Sequence, residues 1–229
     1  MTKTYSVHGI DKDEYYGRII ANHPQWFNPE QAQLDKICGW SIDFQTYYLI
    51  LRLLEKIKPR RILELGFGFS SLAINQYAQS EQSIHDICEN DGEWIDFFNE
   101  CYAGSMQCNY RIIMKGTVER TIGEYENCLV YDDFRKDLNP PYDFVLIDGP
   151  WGGNSPMPRT DLLTNLDILD KNSTIVLHDT CRPGEQITLN AMMVKLPWHH
   201  VHDFNKCSIL TNLDISGMDI IKEEEEEDE

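Results

Sequence analysis

Arg61-Ile62-Leu63-Glu64-Leu65-Gly66-Phe67-Gly68-Phe69-Ser70-Ser71 is the stretch whose reading decides the fold. A short apolar run ends in an acid, two glycines follow one residue apart, and two serines open an amphipathic segment. Gly66 and Gly68 permit backbone angles and a close ligand approach that a Cβ would forbid. A strand–glycine turn–helix unit places free N–H groups and a helix N-terminus beside a ligand. The two glycines alone would also suit an ordinary tight turn between strand and helix.

Two later stretches point to the same place. Tyr142-Asp143-Phe144-Val145-Leu146-Ile147-Asp148-Gly149-Pro150 reads as a buried strand delivering a carboxylate. Ser173-Thr174-Ile175-Val176-Leu177-His178-Asp179-Thr180 reads as another, delivering a His-Asp pair. Open α/β sheets bind ligands outside the carboxyl ends of their strands. Three apolar strands that end in ionisable residues therefore predict one shared site.

From residue 60 onward, strands and helices alternate, which implies a mainly parallel sheet covered on both faces. Strands are expected at 83–88, 110–114, 142–148, 173–177, 199–204 and 206–210, with a short extra strand or arm at 128–131. Residues 1–58 read as a helical extension, 59–215 as the main domain and 216–229 as an acidic, mobile tail. In the extension, Asn28-Pro29-Glu30 looks like a helix start, and Ser41 can cap a second helix. Phe44, Tyr47, Tyr48, Leu51, Leu54 and Ile57 then recur at helical spacing. That stripe reads as core contact with the sheet, the alternative being a lid over the ligand.

The 229 residues carry a formal charge of −18, and −11 remains without the seven acids of 223–229. So acidic a body is a poor match for nucleic acid or anionic lipid. No apolar run reaches the ~18 residues of a membrane span, and the first residues lack a signal peptide's apolar stretch. Seven cysteines without a CxxC pair favour reduced thiols and a cytoplasmic location.

Glu89 lies 23 residues after Gly66. An acid about 20 residues beyond the glycine turn can accept the hydroxyl hydrogens of a ribose. It could equally be a surface acid among Asp86, Asn90, Asp91 and Glu93. A dinucleotide turn would want a third glycine where Ser71 stands. Glu64 would repel a pyrophosphate but welcome an ammonium group. A ligand with a ribose and a free amine, such as S-adenosylmethionine, fits better than NAD.

With those residues in view, the chain resembles the class I S-adenosylmethionine-dependent methyltransferases. Glu64 to Ser71 matches the family's first motif in an E-x-G-x-G-x-S-[ST] form. Glu89 matches the acid after the second strand, and Asp143 to Pro150 the strand-four motif. The resemblance spans about residues 40–212 and is strongest to a bacterial branch with a DGP loop and a DDxxRxxE run. Here that run reads His178-Asp179-Thr180-Cys181-Arg182-Pro183-Gly184-Glu185, with histidine in place of the first acid. The resemblance implies a Rossmann-like fold: a mainly parallel seven-stranded sheet, helices on both faces and an N-terminal helical extension. It also implies that Glu64 serves the methionine amine, directly or through water. Gly66, Gly68, Ser70 and Ser71 would form the cofactor turn. Glu89 would hold the ribose, and Gly116 and Thr117 would lie near the adenine.

Methyl transfer requires alignment of acceptor, methyl and sulfur, and removal of the acceptor's proton. Asp148 is placed as a general base or metal ligand, with His178 and Asp179 completing either arrangement. Asp148 and Asp179 would suit Mg²⁺, His178 would favour a transition metal, and His178 could also act as a metal-free base. Alternatively, Asp179 caps a turn and His178 packs at the sheet edge. In the loop from Gly149 to Arg159, Trp151 could stack on a ring. Arg159 and Arg182 could clamp an anionic acceptor or pair with surface acids. His199, His200 and His202 read as strand and surface residues. The acceptor expected is a small hydroxylated molecule or a glycan precursor. The alternatives are a non-catalytic S-adenosylmethionine-binding protein and an NAD-dependent oxidoreductase.

Overall fold

Continuous apolar runs such as Phe144 to Ile147 are buried on both faces, and this makes them central parallel strands. A computed structural model describes residues 14–23, 42–101, 106, 110–152, 155–196, 200–215 and 218. The main strands are β1 (Arg61–Leu65), β2 (Ile84–Glu89), β3 (Tyr110–Met114), β6 (Tyr142–Ile147), β8 (Leu169–His178), β9 (His200–Phe204) and β10 (Cys207–Thr211). They form one seven-stranded sheet in the order β3-β2-β1-β6-β8-β10-β9. All neighbouring pairs are parallel except those made by β10, which runs antiparallel to both β8 and β9. The chain reverses its order of building between β1 and β6, so the switch point of the sheet lies where those strands end.

Alternation along each strand sorts side chains to opposite faces. Ile62, Ile87, Phe144, Leu146 and Val176 face one core. It is shared with α1 (Glu14–Asn22), α2 (Phe44–Ile57), α3 (Phe69–Glu81) and α4 (Gly92–Cys101). The aromatic stripe of α2 belongs to this core: Phe44, Tyr47, Tyr48, Leu51 and Leu54 are buried, and Tyr47 stacks obliquely on Phe69 at 4.8 Å. The cap of α2 is Asp43, whose Oδ1 accepts the Thr46 N–H at 2.7 Å. The expected cap, Ser41, and the expected helix start at Asn28 lie outside the described residues.

Leu63, Leu65, Val145, Ile147, Ile175 and Leu177 face the second core. Here the covering layer differs from the expected one. Besides α5 (Pro183–Lys195), it contains a three-stranded sheet of β4 (Thr117–Ile122), β5 (Tyr125–Tyr131) and β7 (Met157–Pro158). The expected short arm at 128–131 is the inner end of β5. The hairpin turns at Gly123, whose φ of +62° suits a residue without Cβ. β4 is mostly exposed, and its charged residues mask the strand pattern. Every strand expected for the large sheet is present within one or two residues of its expected bounds, except β8, which starts at Leu169. Among the described residues, no helix is long and apolar enough to cross a membrane.

Candidate active site

The glycine turn is built around backbone contact. Gly66 has φ +98°, and a Cβ there would lie 3.0 Å from the Asp148 carbonyl carbon and the Gly149 nitrogen. Gly149 answers it: a Cβ there would lie 2.8 Å from the Gly66 Cα and 2.5 Å from the Tyr131 hydroxyl. The turn after β1 and the turn after β6 thus touch backbone to backbone, joined also by the Asp148 N–H to the Leu65 carbonyl at 2.8 Å. Gly68 is different. Its φ of 178° is ordinary extended backbone, and a Cβ would meet nothing closer than Trp94 at 3.9 Å. Its N–H donates to Ser71 Oγ at 3.0 Å, and Ser71 N–H returns a bond to the Gly68 carbonyl. Ser71 therefore caps the helix in the place of a third glycine.

Glu64 carries no exposed surface. Ser70 Oγ donates to its Oε1, and His85 Nε2 lies 2.9 Å from its Oε2. A buried carboxylate needs such partners. Glu89 is also buried: its Oε2 accepts the Phe67 N–H at 2.8 Å, and its Oε1 accepts those of Asn90 and Asp91 at 2.6 and 2.8 Å. Burial raises its carboxyl above the usual range, against the pull of those three bonds. Three of about four lone-pair positions are used, so the carboxylate has room for one further donor. Gly116 and Thr117 follow β3 at the same edge of the sheet, with the Gly116 carbonyl accepting the Asp132 N–H at 2.7 Å.

The ends of β6 and β8 bring Asp148, His178, Asp179 and Arg182 together, and they bring Arg159 with them. His178 Nδ1 lies 2.8 Å from Asp148 Oδ1 and 3.5 Å from Asp179 Oδ2. Arg159 Nη2 lies 3.2 Å from Asp148 Oδ1 and 3.3 Å from Asp179 Oδ2, while its Nη1 donates to the His178 carbonyl at 2.7 Å. Arg182 Nη1 is 2.9 Å from Asp179 Oδ2 and 3.6 Å from Glu185 Oε1. Burial disfavours the His178 imidazolium, but the charge and hydrogen bond of Asp148 and the charge of Asp179 outweigh it. The ring therefore titrates above its ordinary value. Burial likewise pushes the Asp148 carboxyl up, but His178, Arg159 and Arg182 hold it below the usual carboxylate range. The His178 Nε2 is buried with no hydrogen-bond partner among the described residues.

A scan of the sequence against family models finds no match, and a search of curated proteins finds none. Solved structures do match. The Bacillus cereus O-methyltransferase in complex with S-adenosylhomocysteine superposes with a TM-score of 0.60 at 12% identity, covering 89% of this chain and 98% of that one. The fold is that of the class I methyltransferases. The same methyltransferase architecture recurs in the Streptomyces achromogenes O-methyltransferase TomG, with S-adenosylmethionine bound, at TM-score 0.56 and 11% identity, covering 89% and 100%. It recurs again in a Podospora anserina methyltransferase bound to S-adenosylhomocysteine, at TM-score 0.53 and 17% identity, covering 92% and 100%.

Within this methyltransferase fold, Arg159 departs from expectation. Its side chain is 2% exposed and faces carboxylates inside the site, so it is neither a surface pair nor open to an acceptor. Arg182, half exposed, keeps an outward face, and Trp151 is 62% exposed. His200 and His202 lie on β9 as expected, and His199 is outside the described residues. Sequence reasoning missed His85. Its position beside Ile62 in the β1–β2 register, one step from Glu64 on the same face, becomes readable only once the strands are paired.

Proposed function

We propose that this chain transfers the methyl group of S-adenosylmethionine to an oxygen of a small hydroxylated molecule or glycan precursor in the cytoplasm. One observation carries the reading: an unpartnered, buried imidazole nitrogen, His178 Nε2, stands two strands from a glycine turn of cofactor-binding type. A buried polar atom without a protein partner takes one from water or a ligand, and an acceptor hydroxyl would serve.

When bound, S-adenosylmethionine presents a sulfonium methyl carbon, on which the acceptor oxygen forms a bond as the carbon–sulfur bond breaks. The protein binds, orients and moves a proton. Gly68 leaves open space at the turn, Glu89 accepts one ribose hydroxyl, and Gly116 and Thr117 border the adenine. Glu64, without exposed surface, acts on the methionine amine only through Ser70 or an intervening water. His178 takes the acceptor's proton on Nε2, while Asp148 holds Nδ1–H and stabilises the imidazolium that forms.

Asp148, His178 and Asp179 lie close enough to suggest a divalent ion. Such an ion does not fit, because the Arg159 guanidinium already bridges the two carboxylates. The proton chemistry then falls to side chains alone. Calorimetric titration with S-adenosylhomocysteine tests the reading: binding in the micromolar range is expected, and no heat at millimolar ligand would overturn it.

A further inference from the structure

The two carboxylates best placed to receive a metal ion are held by a cation that the chain itself supplies. A hard divalent ion would need Asp148 Oδ1 and Asp179 Oδ2 as ligands. Arg159 Nη2 sits within 3.3 Å of both. The guanidinium is held through its two terminal nitrogens: Nη1 donates to the His178 carbonyl and Nη2 to Asp179 Oδ2, while Nε, which makes no hydrogen bond among the described residues, lies 4.0 Å from Glu185 Oε1. Its backbone has φ +60°, directly after the β7 pairing that ties Pro158 to Leu129. The side chain is 2% exposed, so making room for an ion would mean moving a buried guanidinium out of its ion pairs.

Charge balance agrees. Asp148, Asp179 and Glu185 bring three negative charges, and Arg159 and Arg182 bring two positive ones. Protonation of His178 during turnover would bring the sum to zero. A divalent ion added to the same oxygens would sit a few ångströms from the positively charged guanidinium.

We infer that Arg159 is the resident cation of this site: it positions Asp148 and Asp179 as a divalent ion would, and it excludes that ion. Arg159 is a positioning residue; it does not reach the acceptor. The inference rests on the methyltransferase reading only for the statement that turnover needs no metal. Arg159 stands eleven residues after Asp148 and directly follows β7, whose pairing with β5 returns the chain to the strand ends.

The test is Mn²⁺ binding to the full chain, followed by electron paramagnetic resonance, beside turnover in EDTA. In the wild-type protein, no Mn²⁺ site sensitive to Asp148→Asn or Asp179→Asn is expected, and EDTA should leave turnover intact. Arg159→Met should open a site that binds Mn²⁺ at least ~100-fold more tightly than the wild type, and a second change, Asp179→Asn, should abolish it. Arg159→Lys should keep the site closed. A wild-type Mn²⁺ site removed by either Asp→Asn change, or activity lost in EDTA and restored by a divalent ion, would overturn the inference. So would a folded Arg159→Met protein that gains no Mn²⁺. If Arg159→Met does not fold, the wild-type measurement decides. Failure to bind S-adenosylhomocysteine would sink the methyltransferase reading and leave the Mn²⁺ result standing.

Discussion

His178 Nδ1 lies 2.8 Å from Asp148 Oδ1, and that contact decides which ring nitrogen is left for chemistry. With Nδ1 holding the proton toward Asp148, Nε2 is the acceptor, and Nε2 is the atom without a partner. His178→Ala should therefore preserve S-adenosylhomocysteine affinity and lower turnover at least ~100-fold, the low end for general acid–base work. Asp148→Asn should act in the same direction by releasing the tautomer. Steady-state rates and calorimetry on both variants check this; unchanged turnover would place the base elsewhere.

The pH dependence follows from the same pair. His178 titrates above its ordinary value, and in the proposed role it would act as a base only when neutral. Turnover should fall as pH drops through that raised value, and Asp148→Asn should move the falling limb to lower pH. Stability runs the other way. The raised His178 contributes fully below about 6.5, its unfolded value, and the contribution is lost as pH rises through the folded one. The depressed Asp148 contributes above its unfolded value of about 4 and loses that as pH falls. The pair should thus stabilise most at mildly acidic pH, below the activity optimum. Melting temperature and rate measured over the same buffers would expose a coincidence of the two optima, which would contradict this account.

Gly66 and Gly68 should respond differently to a methyl group. Gly66→Ala meets backbone at 3.0 Å and a left-handed φ, so a loss of about 2–4 kcal/mol is expected in denaturant unfolding. Gly68→Ala has ordinary backbone and open space, so stability should change by less than ~1 kcal/mol. Gly68→Val should instead abolish the thermal shift given by S-adenosylhomocysteine, which is worth about 2.7 kcal/mol at a hundredfold excess over Kd.

Glu89→Ala should weaken S-adenosylhomocysteine by roughly 1.5–3 kcal/mol, the range for a hydrogen bond to a charged group. It should also destabilise the ligand-free protein, because Glu89 accepts the Phe67 N–H of the turn. Calorimetry and ligand-free melting together separate the two effects.

Asp161 is buried beneath β5, and burial pushes its carboxyl up to about 7. The folded state therefore binds a proton that the unfolded chain has released, and stability should decline as pH rises from about 4 to 7. Asp161→Asn keeps an acceptor for the Tyr131 N–H, so it should stabilise the protein at pH 8 and flatten that decline. Unfolding free energies at pH 5 and 8 check the sign.

The central strands were legible because burial on both faces leaves an uninterrupted apolar run, as from Phe144 to Ile147. The β4–β5 hairpin was mostly hidden, because β4 has a single buried residue, Ile122, among charged ones. Site residues at strand ends were legible for the same reason as the strands. Arg159 was visible as a loop arginine but not as a buried one: its direction depends on the β5–β7 pairing, which joins residues about thirty positions apart. The Glu64–His85 contact depends in turn on the β1–β2 register.

The contact between Gly66 and Gly149 sets limits for anyone wishing to redesign the cleft at the strand ends. Each position is the other's wall, so a side chain at either must displace backbone, and repair by a compensating change is closed because glycine has nothing left to give up. Variation there should hold both glycines fixed and begin at Trp151, which is 62% exposed, before Arg182, whose guanidinium is 2.9 Å from Asp179.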